Sequence, residues 1–253
     1  MIFVIFLKLW INILIKLDAN WTAPANVKAF TTLRQPGFSH EPYAANNLAL
    51  HVGDNPHDVN LNRTRLKECF RMKEEPVWLE QIHSNICVVA EEDSNRVADA
   101  IISRKPSQPL AILTADCLPI LMSNRKGTEV AAIHAGWRGL AKGIIENTLN
   151  KLLSPPKEVI AWVGPAICQS CFEVGEDVLE SYQRHYPFCS NQFYPKGEKW
   201  QANLPGLAEK ILTNLGVSAV FQSNACTFEQ KKDFFSYRRE PQTGRMATVI
   251  WFT

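Results

Sequence analysis

Charge of either sign is in no excess in this chain: 27 lysines and arginines against 25 acidic residues leave a formal +2 at pH 7 over 253 residues. A nucleic-acid surface needs its basic residues gathered into a patch or stripe. The longest basic runs are the pairs Lys231-Lys232 and Arg238-Arg239, each beside an acid, so nucleic acid is not an expected partner. A disulfide framework is missing too, because seven cysteines, an odd number without regular spacing, do not form the dense pattern of a small secreted domain. The expected setting is a reducing, cytoplasmic one. Gly/Ser-rich linkers, internal repeats and shifts of composition are also missing, and a single domain over residues 17–253 follows as the expectation.

One long apolar run is present, MIFVIFLKLWINILIKL at the N-terminus. Lys8 and Lys16 interrupt it, no small-x-small cleavage site follows, and it falls short of the roughly 20 apolar residues of a spanning helix. Residues 1–16 are therefore read as a leader outside the functional domain, ending in a docked edge strand, without stable membrane insertion. Peripheral membrane contact and a signal sequence are the alternatives.

Beyond it the hydrophobic period switches repeatedly, the pattern of a mixed α/β fold. Short β-rich runs at 27–32, 86–89, 98–103, 110–115, 120–123, 130–134, 159–163 and 247–252 are bounded by Gly, Pro, Asn or charge, as strands are. A helix is expected over 140–153, with Leu140, Ile144, Ile145, Leu149, Leu152 and Leu153 on one face and Pro155-Pro156 stopping it. Another begins after Asn203, a good N-cap, and ends at Gly216. Further helices are expected over 58–70 and 176–185.

Polar residues at the ends of apolar strands are where chemistry is to be sought, since a strand that stops in one presents it at the rim of a sheet. His83, Cys117 and His134 stand in three such places. Two histidines and a thiolate would leave a metal one open coordination position, the arrangement of a catalytic rather than a structural zinc site. Spacing alone does not force the three together, and a buried cysteine acting as a small hydrophobe is the plainer alternative. Asp116, an acid beside Cys117 at the end of an apolar strand, and Gly136 and Gly139 around Trp137-Arg138 favour the site. Cys168-Gln169-Ser170-Cys171 has metal or redox spacing, but a structural zinc would need a second pair, so two unlinked thiols are expected.

Five segments carry a resemblance: Val77-Trp78-Leu79-Glu80-Gln81-Ile82-His83; Thr114-Ala115-Asp116-Cys117-Leu118-Pro119; 128–139, containing His134-Ala135-Gly136-Trp137-Arg138-Gly139; Val163-Gly164-Pro165-Ala166-Ile167 with Phe172-Glu173-Val174-Gly175; and 234–247, from Phe234-Phe235-Ser236-Tyr237-Arg238-Arg239 to Thr243-Gly244-Arg245-Met246-Ala247. Together they resemble the YfiH family, also described as laccase-domain or polyphenol oxidase proteins and as purine nucleoside phosphorylases. The likeness runs from about Trp21 to the C-terminus. It implies a single α/β domain, a mixed β-sandwich flanked by helices, with zinc on His83, Cys117 and His134. It also implies phosphorolysis of adenosine, inosine, guanosine and methylthioadenosine, deamination of adenosine, and a link to the editing of peptidoglycan precursors. Pro36 stands where similar proteins carry a glycine, and Cys168 and Cys171 occupy a turn that is Gly/Pro-rich in relatives.

Phosphorolysis requires an anion held beside a developing oxocarbenium ion, which suits guanidinium groups. Arg34, Arg138 and Arg238 are the candidates, with Arg238 carried to the rim by a strand leaving the core after Phe234-Phe235. Deamination requires an activated water at purine C6, which zinc can supply, with Asp116 or, second, Glu173 as proton shuttle. His51 is a possible supporting residue, though a satisfied loop histidine is the plainer reading. Six histidines without a His-x-His pair argue against a full multicopper set, although copper could replace zinc at the one site. The remaining alternatives are a metal-free Cys117–histidine amidohydrolase and a binding module without turnover.

Overall fold

A computed structural model describes residues 15–253. The leader expected over 1–16 lies outside the described residues except for Ile15 and Lys16. Strands covered on both faces lose the alternation of an exposed strand and become almost wholly apolar. The chain follows this rule, and its fourteen strands, numbered in chain order among the described residues, fall into three sheets.

A five-stranded sheet contains β1 (Lys16–Asp18), β2 (Val27–Thr32), β3 (Val77–Trp78), β6 (Leu110–Thr114) and β14 (Met246–Phe252), in the order β1-β2-β14-β6-β3. A six-stranded sheet contains β4 (Cys87–Val89), β5 (Ala100–Ser103), β7 (Leu118–Asn124), β8 (Val130–Ala135), β9 (Val159–Val163) and β13 (Ala219–Gln222), in the order β13-β9-β7-β8-β5-β4. The third sheet is small: β10 (Glu173–Val174), β11 (Phe193–Lys196) and β12 (Lys199–Ala202). Most pairs are antiparallel, but β3–β6, β4–β5 and β9–β13 are parallel.

The two large sheets face each other through Ile101, Leu110, Ile112, Leu121, Ala132, Trp162 and Ile250. Burial of each large aliphatic side chain contributes about 1.5–3 kcal/mol, and the same strands bury their opposite faces too. The helix α1 (Pro56–Cys69) covers the five-stranded sheet through Leu66, against Phe30, Leu113 and Val249. On the outside of the six-stranded sheet lie α2 (Trp137–Ala141), α3 (Ile144–Lys151), α4 (Glu176–His185) and α5 (Leu204–Asn214). This is the expected mixed sandwich flanked by helices.

The single helix expected over 140–153 is two. Gly143 has φ +86°, a left-handed conformation that ends one helix and resets the next, while Leu140, Ile144, Ile145 and Leu149 still share the buried side. Leu153, expected inward, is 78% exposed beyond the end of α3. The expected cap is present at α5: the Asn203 side chain accepts from the Gly206 N–H, and Gly216 follows with φ +83°. At the other end of the chain, the Leu33 N–H donates to the Ile15 carbonyl and Lys16 pairs with Thr32. The boundary expected at residue 17 therefore cuts through β1.

Candidate metal centre and active site

The two sheets are joined by a turn only three residues long. β6 ends at Thr114 in one sheet, β7 starts at Leu118 in the other, and Ala115, Asp116 and Cys117 cross between them. So short a crossing forces Asp116 to φ +90°, which costs a non-glycine residue about 1–3 kcal/mol. Its carboxylate offsets the cost by accepting from the Thr227 hydroxyl (2.6 Å), the Ser236 hydroxyl (3.0 Å) and the Arg238 N–H (2.7 Å). The crossing leaves Cys117 at the rim of the sandwich.

His134 reaches the same rim from β8, and His83 from the loop after β3. One buried acid orients both histidines. Asp99 accepts from three successive amides, Ile82 (3.3 Å), His83 (3.0 Å) and Ser84 (2.6 Å), and from the Ser84 hydroxyl at 2.7 Å. Left-handed φ at His83, +58°, lets these N–H groups converge as an anion nest. The Asp99 carboxylate also lies 2.8 Å from His134 Nδ1, which commits that nitrogen and leaves Nε2 for the site. Sequence reasoning missed Asp99, though an acid inside the apolar run Ala98-Asp99-Ala100-Ile101 was a signal of the same kind as Asp116.

Ligand atoms of His83, Cys117 and His134 all lie within 4.8 Å of one another, with His83 Nε2 3.9 Å from the Cys117 sulfur. A tetrahedral ion with bonds of about 2.0 Å to nitrogen and about 2.3 Å to sulfur would set that pair about 3.5 Å apart, so a small inward shift of the trio would seat such an ion. Gly136 keeps the centre open: a Cβ there would stand 3.0 Å from His83 Cδ2, 3.3 Å from the Cys117 sulfur and 3.5 Å from His134 Nε2. Burial opposes ionisation of Cys117, but the charge and hydrogen bonds of His134 and His83 bring its thiol down to about 6. Burial likewise disfavours the His134 imidazolium, yet Cys117 and Asp99 hold its pKa up at about 9. A thiolate is thus ready for a cation.

A cavity of about 220 Å³ opens over His83 and Cys117, walled by the aromatic side chains of Trp137, Phe172 and Tyr237 and by Arg138 and Arg238. The Arg238 guanidinium sits 5.4 Å above the Phe172 ring and donates to the Glu173 carbonyl at 3.1 Å. Two other cavities, of 270 and 450 Å³, lie away from the histidines.

Several expected participants stand differently. Arg238 reaches the rim on a turn rather than a strand, pinned through its N–H to Asp116. Arg34 is spent elsewhere, its guanidinium donating to the Ala44 and Lys231 carbonyls and lying over Phe235. Glu173 turns its carboxylate to Lys199 (2.9 Å) and Lys196 (3.4 Å), away from the cavity. His51 is exposed and offers nothing to the trio.

Residues 28–253 match the family model described as multi-copper polyphenol oxidoreductase laccase. A Haemophilus influenzae protein named purine nucleoside phosphorylase is 44% identical over 240 residues, 93% of this chain and 98% of that one. The Escherichia coli K12 protein named purine nucleoside phosphorylase YfiH is 43% identical, covering 91% of this chain and 96% of its own. A solved Neisseria meningitidis protein superposes with a TM-score of 0.90 at 43% identity over 94% of this chain and 98% of its own. With nearly the whole length matched on both sides, and the expected motifs gathered at one rim, the chain belongs to the laccase-domain family of YfiH-type proteins.

Proposed function

We propose that the protein is a zinc-dependent purine nucleoside phosphorylase that also deaminates adenosine. The observation that carries this reading is the cavity over His83 and Cys117, in which metal ligands, aromatic faces and two guanidinium groups meet. Relatives at 43–44% identity carry the phosphorylase name. The aromatic walls of the cavity suit a purine base.

A zinc ion held by His83, Cys117 and His134 would supply Lewis acidity at one open position. The remaining roles belong to the chain itself. Trp137, Phe172 and Tyr237 offer ring faces to the purine and exclude water around the sugar. Arg238 and Arg138 hold the phosphate, since a guanidinium fork matches its oxygens in pairs. Keeping that anion beside the developing positive charge at C1′ lowers the barrier electrostatically. Asp116, its oxygens taken by Thr227, Ser236 and Arg238, acts as a positioning residue: it fixes Arg238 relative to Cys117 and takes no part in proton shuttling. Asp99 does the same for the two histidines. Two of the six histidines are at this centre, and the described residues form no further histidine cluster, which favours a single ion at the histidines over a multicopper set.

The test is turnover of adenosine with and without phosphate, products identified by mass. Adenine and ribose 1-phosphate with phosphate, and inosine without it, are expected; no product in either arm would overturn the reading. A second reading rests on the chain Cys117–His134–Asp99, which also has the order of nucleophile, base and orienting acid. A metal-free hydrolase of that kind would keep its activity in strong chelator.

A further inference from the structure

Cys168 and Cys171 are free thiols, as expected, but they do not stand alone. They lie in a tight turn in which the Cys171 N–H donates to the Cys168 carbonyl. A parallel bridge between Ala166 and Cys226 then brings a second turn alongside. That turn reads Cys226-Thr227-Phe228-Glu229, so the missing second pair is a Cys-x-x-Glu facing a Cys-x-x-Cys.

We propose that Cys168, Cys171, Cys226 and Glu229 form a second metal site, a tetrahedral zinc centre separate from His83, Cys117 and His134. The four donor atoms all lie within 4.8 Å of one another. Zinc with bonds of about 2.3 Å to sulfur and about 2.1 Å to oxygen would place a sulfur and a carboxylate oxygen about 3.6 Å apart; Cys171 Sγ and Glu229 Oε1 stand at 3.6 Å. Four protein donors with no open position make it a structural rather than a catalytic centre.

Amide donors converge on one of the sulfurs. The Cys168 N–H points at the Cys226 sulfur at 3.4 Å, and the Phe228 and Glu229 N–H groups face the same atom. Such donors stabilise sulfur in its ionised, metal-binding form. On binding zinc, each thiol would release its proton to solvent.

The clamp bears on the cavity. One of its turns follows Ile167, whose N–H donates to the Asp116 carbonyl, and leads into Phe172 beneath Arg238. The other carries Thr227, which donates to the Asp116 carboxylate, and its Thr227 and Phe228 carbonyls accept from Arg239. A second ion would thus fix both walls that hold Asp116 and Arg238.

Native mass spectrometry of protein purified without chelator should find two zinc ions per chain. Cys117→Ala should lose one ion while keeping the second. The pair Cys168→Ser with Cys171→Ser should also lose one, while keeping the ion bound by the histidines. Cys226 is buried and its replacement could disturb folding, so Glu229→Ala serves as the further variant: it leaves the core untouched and should release one zinc to a chelator that spares the wild type. The proposal is overturned if the Cys168/Cys171 variant holds as much zinc as the wild type. It is equally overturned if both thiols of the folded protein alkylate freely, or if intact mass reveals a Cys168–Cys171 disulfide. Because the count follows the ion lost with Cys168 and Cys171, failure of the histidine centre to bind zinc would be seen separately.

Discussion

Replacing Asp99 by asparagine keeps the shape of a fully buried side chain and removes its charge. One carboxylate oxygen serves the His83 N–H and His134 Nδ1; the other serves the Ile82 N–H, the Ser84 N–H and the Ser84 hydroxyl. An amide has a single oxygen, so in either orientation its NH₂ faces donors it cannot accept from. Loss of the group that orients a metal-binding histidine typically weakens metal affinity about 10- to 100-fold, or about 1.4–2.8 kcal/mol. Here both histidines depend on the same acid, and the upper end is expected. Competition of zinc between Asp99→Asn and a chromogenic chelator measures the loss, and circular dichroism checks that the fold persists. Wild-type zinc affinity in a folded Asp99→Asn protein would refute the role given to Asp99.

Cys117→Ala should lose the ion and all nucleoside turnover, while the melting temperature of the metal-free protein stays within about 4 °C of the wild type, because a rim ligand contributes little to the core; full turnover by this variant would remove the site. In metal-stripped protein the Cys117 thiolate predominates above its pKa of about 6, so iodoacetamide labelling should rise through that pH and level off above about 7, where an ordinary thiol is still climbing. Arg238→Ala should slow phosphorolysis about 30- to 150-fold through the loss of a charge-assisted contact and leave deamination much less affected; equal losses would show that Arg238 serves the nucleoside or the fold. Removing residues 1–14 should leave zinc content and turnover unchanged, whereas removing residues through Asp18 strips β1 from β2 and should lower the melting temperature.

The strands and the three residues that meet at the candidate centre were legible because burial on two faces and a polar residue at a strand end both leave a local trace. Leu110, Ile112, Leu121 and Ile133 announce themselves by composition, and His83, Cys117 and His134 by being polar where apolar runs stop. What could not be read was direction. Arg34, Arg138 and Arg238 are the same residue in sequence, and only the structure shows Arg34 turned onto the Ala44 and Lys231 carbonyls. Glu173 is likewise drawn off by Lys196 and Lys199, which arrive on β11 and β12. The break at Gly143 escaped because helical spacing survives across it: both helices press the same side onto the six-stranded sheet. Cys226 and Glu229 lie 58 residues beyond the turns they face, a distance no local pattern spans.

The location of the centre follows from the architecture that hides it. Within β6, β7 and β8 every residue is buried, so a metal ligand in mid-strand would have no route to a substrate. Only where a strand leaves its sheet can a donor meet both the rigid core and the solvent, and the Ala115–Cys117 crossing is the shortest such exit in the sandwich. Its brevity fixes Cys117 relative to both sheets at once, at the cost of the strained Asp116 backbone, and the bonds that relieve Asp116 are the ones that bring in Arg238. Cys117 and the Arg238 turn are therefore set by a single crossing. A change that relaxed Asp116, such as glycine in its place, would ease the backbone while releasing the Arg238 turn, gaining local stability where it loses alignment.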